Sequence, residues 1–188
     1  MTTTTENETT ADRFRRLSAT LTTRVDAVPA DRWDSSSPCE GWTARDVLRH
    51  IVDSQAGFVK NVDLEIPAGP SVDENPSAAW QHNRDALQGF LDDPAKANRE
   101  YEGGFGKAVF ADSVRAYFCF DLIVHGWDIA RATGIDETIP PEDLVLMAEF
   151  GEQAGPMLRS PGVCGPELEA PADADKQTRL LRFFGREA

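Results

Sequence analysis

Hydrophobic residues recur along this chain at the three- and four-residue spacing of amphipathic helices, whereas the two-residue alternation of strands is sparse. The predicted helices cover about residues 11–28, 44–62, 77–91, 112–133, 142–154 and 176–184. The centre of the fourth helix, about residues 116–124, is almost continuously apolar, so we expect it to be the most buried. The pattern therefore predicts an all-α fold, a four-helix bundle with an additional C-terminal helix and short irregular or extended segments.

Turn-forming and capping residues mark several of the predicted helix ends. Thr43, followed by Asp46 three residues later, has the pattern of a capping box at the start of the second helix. Gly134 is placed to end the fourth helix. The glycine-bearing segment 99–111 is expected to be irregular, either a short hairpin or an extended lid, and a short extended piece is expected around residues 168–170.

Length and composition predict one globular domain. The chain has 188 residues, of which 40% are hydrophobic, and this suffices for one core. We expect residues 1–10, which are polar, to form a disordered tail and residues 11–188 to form the single domain. Because the chain starts without the features of a signal peptide and has no long apolar run, we expect a cytoplasmic protein.

The charge of the chain argues against two classes of partner. The sequence holds 19 Lys and Arg against 32 Asp and Glu, for a formal net charge of -13. Because phosphate groups are bound by basic surfaces, neither nucleic acid nor an anionic membrane is an expected partner.

The three cysteines, Cys39, Cys119 and Cys164, are odd in number and widely spaced. They form no CxxC pair, which disfavours both a disulfide scaffold and a cysteine-rich zinc site. Cys39 precedes a helix start and has two interpretations, a nucleophile or a buried packing residue, and we prefer the second. Cys119 lies in the apolar centre of the fourth helix and is expected to be inert.

Polar residues interrupt the apolar face of the fourth helix. Asp121, His125 and Asp128 are spaced i, i+4 and i+7, so they share one face. The apolar residues expected on that face are Val114, Tyr117, Phe118, Ile129 and Ala132. A carboxylate and an imidazole on such a face are costly to desolvate unless something pairs with them, and a metal ion is one such partner.

A second histidine, His50, falls on the apolar face of the second helix. With Asp121 and His125 it would give three ligands from two helices and leave one position open, which is the pattern of a catalytic metal site. Zinc suits these donors, and nickel, iron and manganese tolerate them. The alternative is that the Asp121–His125 pair makes only a hydrogen bond.

Asp128 and His82 are two further polar residues in the predicted helices. Asp128 could orient a metal ligand from the second shell, or it could accept a hydrogen bond from the Trp42 or Trp127 indole or cap backbone. His82 lies in a polar helical segment and is expected at the surface.

Three stretches carry a resemblance to a known family. Residues 37–50 fit the pattern PC-x-GW-T-x-x-D-x-x-x-H, and residues 121–134 are similar to a helix with the motif HGWDLARATG. Residues 164–171 and 179–186 resemble the C-terminal end of the stand-alone, actinobacterial-type proteins of the same family. The chain thus resembles the metal-binding domain of mycothiol-dependent maleylpyruvate isomerase, which belongs to the DinB-like superfamily.

The resemblance implies a DinB-like four-helix bundle that holds a divalent metal, zinc in the first instance. His50 matches the first ligand of the family, and Asp121 and His125 match the other two. The isomerase has Glu where this chain has Asp121, which leaves the metal open.

The resemblance also implies chemistry with a low-molecular-weight thiol. Mycothiol is the implied co-substrate and a small electrophile the implied partner, for S-transfer or isomerisation, and a homodimer is compatible with this. The isomerase has a further C-terminal domain that contributes to its active site, which 188 residues are expected to be too few to hold. Isomerisation of maleylpyruvate itself is therefore not implied. A non-catalytic metal- or ligand-binding protein and a metal-water hydrolase are the alternatives.

Overall fold

Helices account for most of the secondary structure in the computed structural model, which describes residues 8–104, 106–160 and 163–188. The α-helices are α1 (Thr10–Ala27), α2 (Ala44–Phe58), α3 (Pro76–Leu91), α4 (Pro94–Ala97), α5 (Phe110–Ser113), α6 (Cys119–Thr133), α7 (Pro141–Ala154) and α8 (Lys176–Phe183). Short 3-10 helices follow α2 (Val59–Val62) and α7 (Gly155–Arg159). The predicted all-α fold with an additional C-terminal helix is confirmed.

The four-helix bundle consists of α1, α2, α3 and α6. Helices α1 and α2 each pack against both α3 and α6. Fully or almost fully buried side chains in the bundle include Phe14, Leu17, Leu21, Val47, Leu48, Ile51, Trp80, Leu87, Val124 and Trp127. Helices α7 and α8 pack on one another, and α7 also contacts α6. The C-terminal elements therefore cover one side of the helix that carries most of the candidate site.

The N-terminal half of the predicted fourth helix differs from the expectation. The helix begins at Phe110 rather than about Asp112, and the turn Val114–Phe118 between α5 and α6 is a π-helix. A π turn contains an extra residue, which rotates the side chains that precede it around the helix axis. Tyr117, expected on the buried face, lies within this turn and is 44% exposed, whereas Val114 and Phe118 are buried.

The segment that was predicted as a hairpin or a lid contains a hairpin. Strands β1 (Glu100–Gly103) and β2 (Gly106–Val109) are antiparallel, with Glu100 opposite Val109 and Gly103 opposite Gly106. Tyr101 anchors the hairpin, because its hydroxyl lies 2.8 Å from Ser113 Oγ and its ring packs edge-on against Phe58.

The two ends of the chain contain further differences. Thr9 caps α1 and Thr10 begins it, so these two residues of the expected tail are ordered, and residues 1–7 lie outside the described part. Residues 168–170 do not form a strand, although the Leu168 N–H donates to the Arg182 carbonyl at 3.0 Å. Within the described residues, every helix is too short or too polar to cross a membrane.

Candidate metal centre

Helix α2 positions His50 on the bundle. The predicted capping box at its start is present: the Thr43 hydroxyl accepts from the Asp46 N–H, and the Asp46 carboxylate accepts from the Thr43 N–H at 2.9 Å. Val47 and Ile51, on either side of His50 along the apolar face, are almost fully buried. The His50 ring is half-buried at the edge of this face.

Helix α6 contributes Asp121 and His125 from consecutive turns. His125 is 8% exposed and Asp121 is half-buried. The helix ends at Gly134, whose φ of 77° is the left-handed conformation that a C-terminal glycine permits. Helices α1, α2 and α7 all contact α6, so the backbone that carries these two side chains is held by packing.

The structure brings His50, Asp121 and His125 together. One donor atom from each lies within 4.8 Å of the other two. The two imidazole rings are 5.0 Å apart between centroids and nearly perpendicular, at 76°. Within the described part of the chain, neither His50 nor Asp121 has a hydrogen-bond partner. The three side chains therefore approach a common point, and no hydrogen bond joins any two of them.

Asp128 lies one turn after His125 and fixes its ring. The Asp128 carboxylate is fully buried, and its Oδ2 is 2.9 Å from His125 Nδ1. This hydrogen bond leaves Nε2 as the nitrogen of His125 that can bind a metal. The alternative partner Trp127 is excluded, because its Nε1 is buried without a hydrogen-bond partner among the described residues.

Cys39 belongs to this polar cluster, and it is also partly buried against the hydrophobic core, as expected of a packing residue. Its side chain is half-buried, and its thiol donates to Asp128 Oδ2 at 3.3 Å. Cys39, His125 and Asp128 form a second group of possible ligands. The Arg186 guanidinium already neutralises this group, with Nη2 at 3.0 Å from Asp128 Oδ2, which disfavours a second cation there.

Cys119 and His82, which were also singled out in the sequence, lie apart from the cluster. Cys119 is buried as expected, and burial raises the pKa of its thiol to about 12, so it is unreactive. His82 is half-buried rather than a free surface residue, because its Nε2 lies 2.8 Å from the Pro67 carbonyl oxygen.

An open groove runs up to His50. It has a volume of about 650 Å³ and is lined by Gly41, Trp42, Asp46, Arg49, His50, Asp53 and Ser54. The Trp42 ring is 36% exposed, and its centroid lies 5.0 Å from that of His50. A small molecule in this groove would therefore meet an aromatic surface, charged side chains and the His50 edge of the cluster.

Comparison with known proteins places these residues in a family. Residues 14–130 match the family model described as the mycothiol maleylpyruvate isomerase N-terminal domain. The chain belongs to this family. Two Mycobacterium tuberculosis proteins named as uncharacterized, MT0763 of strain CDC 1551 / Oshkosh and Rv0738 of strain ATCC 25618 / H37Rv, are each 30% identical over 163 residues, covering 85% of this chain and 87% of their own length. No solved structure gives a significant match.

The region matched by the isomerase N-terminal domain family contains His50, Asp121, His125 and Asp128. It does not contain Arg186, which sequence reasoning overlooked as a site residue. Arg186 lies 58 residues from Asp128 along the chain, and no spacing pattern links the two. Only the fold brings them together.

Gly126, inside the family motif HGWD, is a second residue whose role became clear only in the structure. A Cβ at this position would lie 2.9 Å from Arg24 Nη1 and 3.6 Å from a Leu21 methyl group. Glycine therefore lets the Arg24 side chain of α1 pass directly over the α6 backbone next to His125. Arg24 ends at the Thr138 carbonyl, to which its Nη2 donates at 2.8 Å.

The pKa values of the two histidines in the cluster are shifted in opposite directions. Burial and the neighbouring charge of His125 lower the pKa of His50 to about 4, so this ring is neutral at pH 7 and one of its nitrogens has a lone pair available. Burial alone would lower the pKa of His125 as well, but hydrogen bonds with Asp128 and Cys39 and the charge of Asp121 raise it. Burial raises the pKa of Asp121. A cation bound here would replace the proton that these groups hold in the cation-free protein.

The lowered pKa of His50 predicts a pH-dependent stability of the metal-free protein. Unfolded His50 has a pKa near 6.5, whereas folded His50 has one of about 4, so between these values the unfolded chain binds a proton that the folded chain does not. The free energy of unfolding contributed by His50 should therefore fall as the pH is lowered from 6.5 to 4.

Urea unfolding in the presence of a chelator, at several pH values across this window, measures the effect. We expect the wild type to lose stability relative to His50→Gln as the pH falls, because glutamine does not titrate. A difference between the two proteins that stays constant from pH 7 to pH 4 would contradict the assigned environment of His50.

Proposed function

We propose that this protein holds a divalent metal ion, zinc in the first instance, through His50, Asp121 and His125, and uses it to activate a low-molecular-weight thiol of the mycothiol type. The observation that carries the proposal is the convergence of two imidazoles and one carboxylate from two helices, beside an open groove. Membership of a mycothiol-related family supports the choice of a thiol as co-substrate.

The donor set fits a divalent cation. Imidazole nitrogen and carboxylate oxygen are ordinary ligands of zinc, with bonds of about 2.0–2.2 Å. In the tetrahedral arrangement usual for zinc, bonds of this length place two ligand atoms about 3.3–3.6 Å apart, so side-chain movements of about 1 Å would bring together donor atoms that now lie within 4.8 Å of one another. Among the described residues, the half-buried Asp121 carboxylate and the neutral His50 ring have no competing hydrogen bond to break.

A cation in this position would supply one kind of chemistry, a lowered pKa of an incoming thiol, so that the thiolate forms near neutral pH. The residues of the chain would orient the metal ligands and bind the thiol. Asp128 keeps the His125 Nδ1 side occupied, which directs Nε2 to the common point. The groove at Trp42 and Arg49 would bind the body of the thiol and hold its sulfur next to His50.

The proposed reaction transfers the sulfur to an electrophilic carbon. The thiol gives its proton to solvent, and the sulfur forms a carbon–sulfur bond as a leaving group departs with its electron pair. With an activated double bond, the sulfur adds to one carbon and a proton from solvent adds to the neighbouring one. Loss of the same thiol after rotation about the resulting single bond would complete an isomerisation.

Hydrolysis by a metal-activated water is less well supported. It would need a general base close to the ion, and Asp128 is the candidate on the same helix face. The Asp128 carboxylate is fully enclosed and is committed to His125, Arg186 and Cys39. It is therefore not free to take a proton from a water molecule.

A thiol-consumption assay tests the proposal. We expect the zinc-loaded protein to consume mycothiol in the presence of an electrophilic bimane at least about tenfold faster than the same protein treated with a chelator. This factor follows from the small thiolate fraction at pH 7 of a free thiol whose pKa is about 8.5. Free thiol is followed with time, with protein-free zinc as the blank.

Two further observations sharpen this assay. Trp42→Ala should retain its zinc but require more mycothiol for half-maximal rate, because Trp42 lines the groove and is not in the donor set. If fully zinc-loaded protein leaves the rate of thiol loss unchanged, the thiol-activating function is wrong and a non-catalytic metal-binding protein becomes the better description.

A further inference from the structure

Arg186 is an unusual residue for the end of a chain, because its side chain is only 8% exposed. Arginine is rarely buried unless it is paired. Its guanidinium donates to both oxygens of one carboxylate: Nε lies 3.3 Å from Asp128 Oδ1 and Nη2 lies 3.0 Å from Asp128 Oδ2. Its third nitrogen, Nη1, donates to the Phe184 carbonyl at 2.9 Å.

The C-terminal segment that carries Arg186 is itself fixed. Leu181 and Phe184 are fully buried, and the Arg186 N–H donates to the Leu181 carbonyl at 2.9 Å. Gly185 has a φ of 80°, and a Cβ there would lie 2.9 Å from the Gly165 carbonyl carbon. The guanidinium is therefore presented to Asp128 by a closely packed turn and not by a loose end of chain.

The contacts form a continuous series from the C-terminal segment to the candidate metal ligands. Arg186 holds both oxygens of Asp128, and Asp128 Oδ2 holds His125 Nδ1 at 2.9 Å. His125 in turn is the one residue that the two groups of possible ligands share. A rotation of the Asp128 carboxylate would turn the His125 ring away from His50 and Asp121.

We propose that Arg186 is a positioning residue of the metal centre: it locks the Asp128 carboxylate, which orients His125 toward His50 and Asp121. The inference rests on the proposed function, because it needs a metal at that centre. It also extends the centre beyond the region matched by the family model, which ends at residue 130.

The alternative is that the Arg186–Asp128 pair only attaches the C-terminal segment to the bundle. The two roles differ in what they require. Attachment of the C-terminal segment requires only a cation or another favourable contact at position 186. Positioning of the Asp128 carboxylate requires that both of its oxygens are held in one plane. The planar guanidinium of arginine can do this, whereas the ammonium of lysine cannot. Attachment would also act independently of Asp128's bond to His125, whereas positioning acts only through Asp128.

Zinc affinity of the full chain, measured by competition with a chromogenic chelator, separates these roles. We expect Arg186→Met to bind zinc about 10- to 100-fold more weakly than wild type, the usual effect of losing a residue that orients a metal ligand. Arg186→Lys keeps a buried cation and the fold, and its affinity should fall between the two. It provides the comparison if Arg186→Met does not fold.

Arg182→Met is the matched control for a loosened C-terminal segment. Arg182 donates to the Ala188 and Glu169 carbonyls and has no contact with Asp128. Its loss should lower thermal stability somewhat and leave zinc affinity within about twofold of wild type. An equal loss of zinc affinity in Arg182→Met and Arg186→Met would overturn the proposal.

A double-mutant cycle with Asp128→Asn completes the test. If Arg186 acts through Asp128, Arg186→Met should weaken zinc binding by less than about threefold in the Asp128→Asn background. A full and independent loss there would show attachment alone and overturn the inference. Wild-type affinity in both Arg186 variants would do the same. Wild-type protein that binds no stoichiometric zinc would instead refute the proposed function itself.

Discussion

Replacing His125 by alanine should abolish stoichiometric zinc binding by this protein. His125 is the residue common to both groups of possible ligands, and its ring is held by Asp128 in the orientation that exposes Nε2. A ligand-to-alanine change removes one of three protein ligands and leaves only His50 and Asp121, one from each of two helices, to bind the ion. We expect the zinc affinity to fall by at least about 100-fold, beyond the loss expected for a residue that only orients a ligand.

Metal content after dialysis against a weak chelator measures this loss. His82→Ala is the matched control, because it removes the third histidine of the chain, which lies in α3 and contacts the Pro67 carbonyl. The control should retain the metal content of wild type. One equivalent of zinc retained by His125→Ala, or a loss of zinc in His82→Ala, would contradict the assigned centre.

Trp127→Ala should be the most destabilising single substitution among those considered. The Trp127 side chain is fully buried within the bundle, two residues after His125. Truncation removes a large apolar surface and leaves a cavity that the packed helices cannot collapse, which costs about 3–5 kcal/mol of unfolding free energy. Urea unfolding of the metal-free proteins measures this cost without a contribution from bound zinc.

The indole nitrogen of Trp127 allows a second, milder substitution to be compared with Trp127→Ala. Because Nε1 has no partner among the described residues, Trp127→Phe removes an unpaired donor together with part of the ring. We expect it to cost less than about 2 kcal/mol. Trp42→Ala, at a position where the ring is 36% exposed, should change stability by less than about 1 kcal/mol. A cost in Trp127→Phe as large as that in Trp127→Ala would point to a hydrogen bond at Nε1 in solution.

The helices of this fold could be predicted because their signals are local. Apolar spacing and the caps at Thr43 and Gly134 depend on residues within one or two turns, and the structure has both caps where the sequence predicts them. The π turn at Val114–Phe118 could not be predicted in this way. A pattern of regular helical spacing has no place for its extra residue, and it therefore assigned the exposed Tyr117 to the buried face.

The same distinction applies to the candidate site. Face sharing along α6 related Asp121, His125 and Asp128 to one another. His50 was added because it falls on the apolar face of the second helix, and the family motifs match His50, Asp121 and His125. Cys39 and Arg186 complete the cluster from distant parts of the chain, and their proximity depends on how the loop before α2 and the turn after α8 pack. Neither residue has a spacing relationship to α6, so the sequence alone offered Cys39 as a nucleophile or a packing residue and did not relate Cys39 or Arg186 to Asp128.

The close passage of Arg24 over Gly126 limits how this protein can be altered. A side chain at position 126 would have to displace the Arg24 guanidinium, which donates to the Thr138 carbonyl. The same position therefore affects both the packing of α1 on α6 and the surroundings of His125. A redesign that aimed to change the metal preference by repacking the surroundings of His125 would therefore begin with α1, which has no residue in the donor set. Substitutions meant to change the properties of the metal centre are easier to accommodate on its His50 side, where the groove is open and Trp42 is partly exposed.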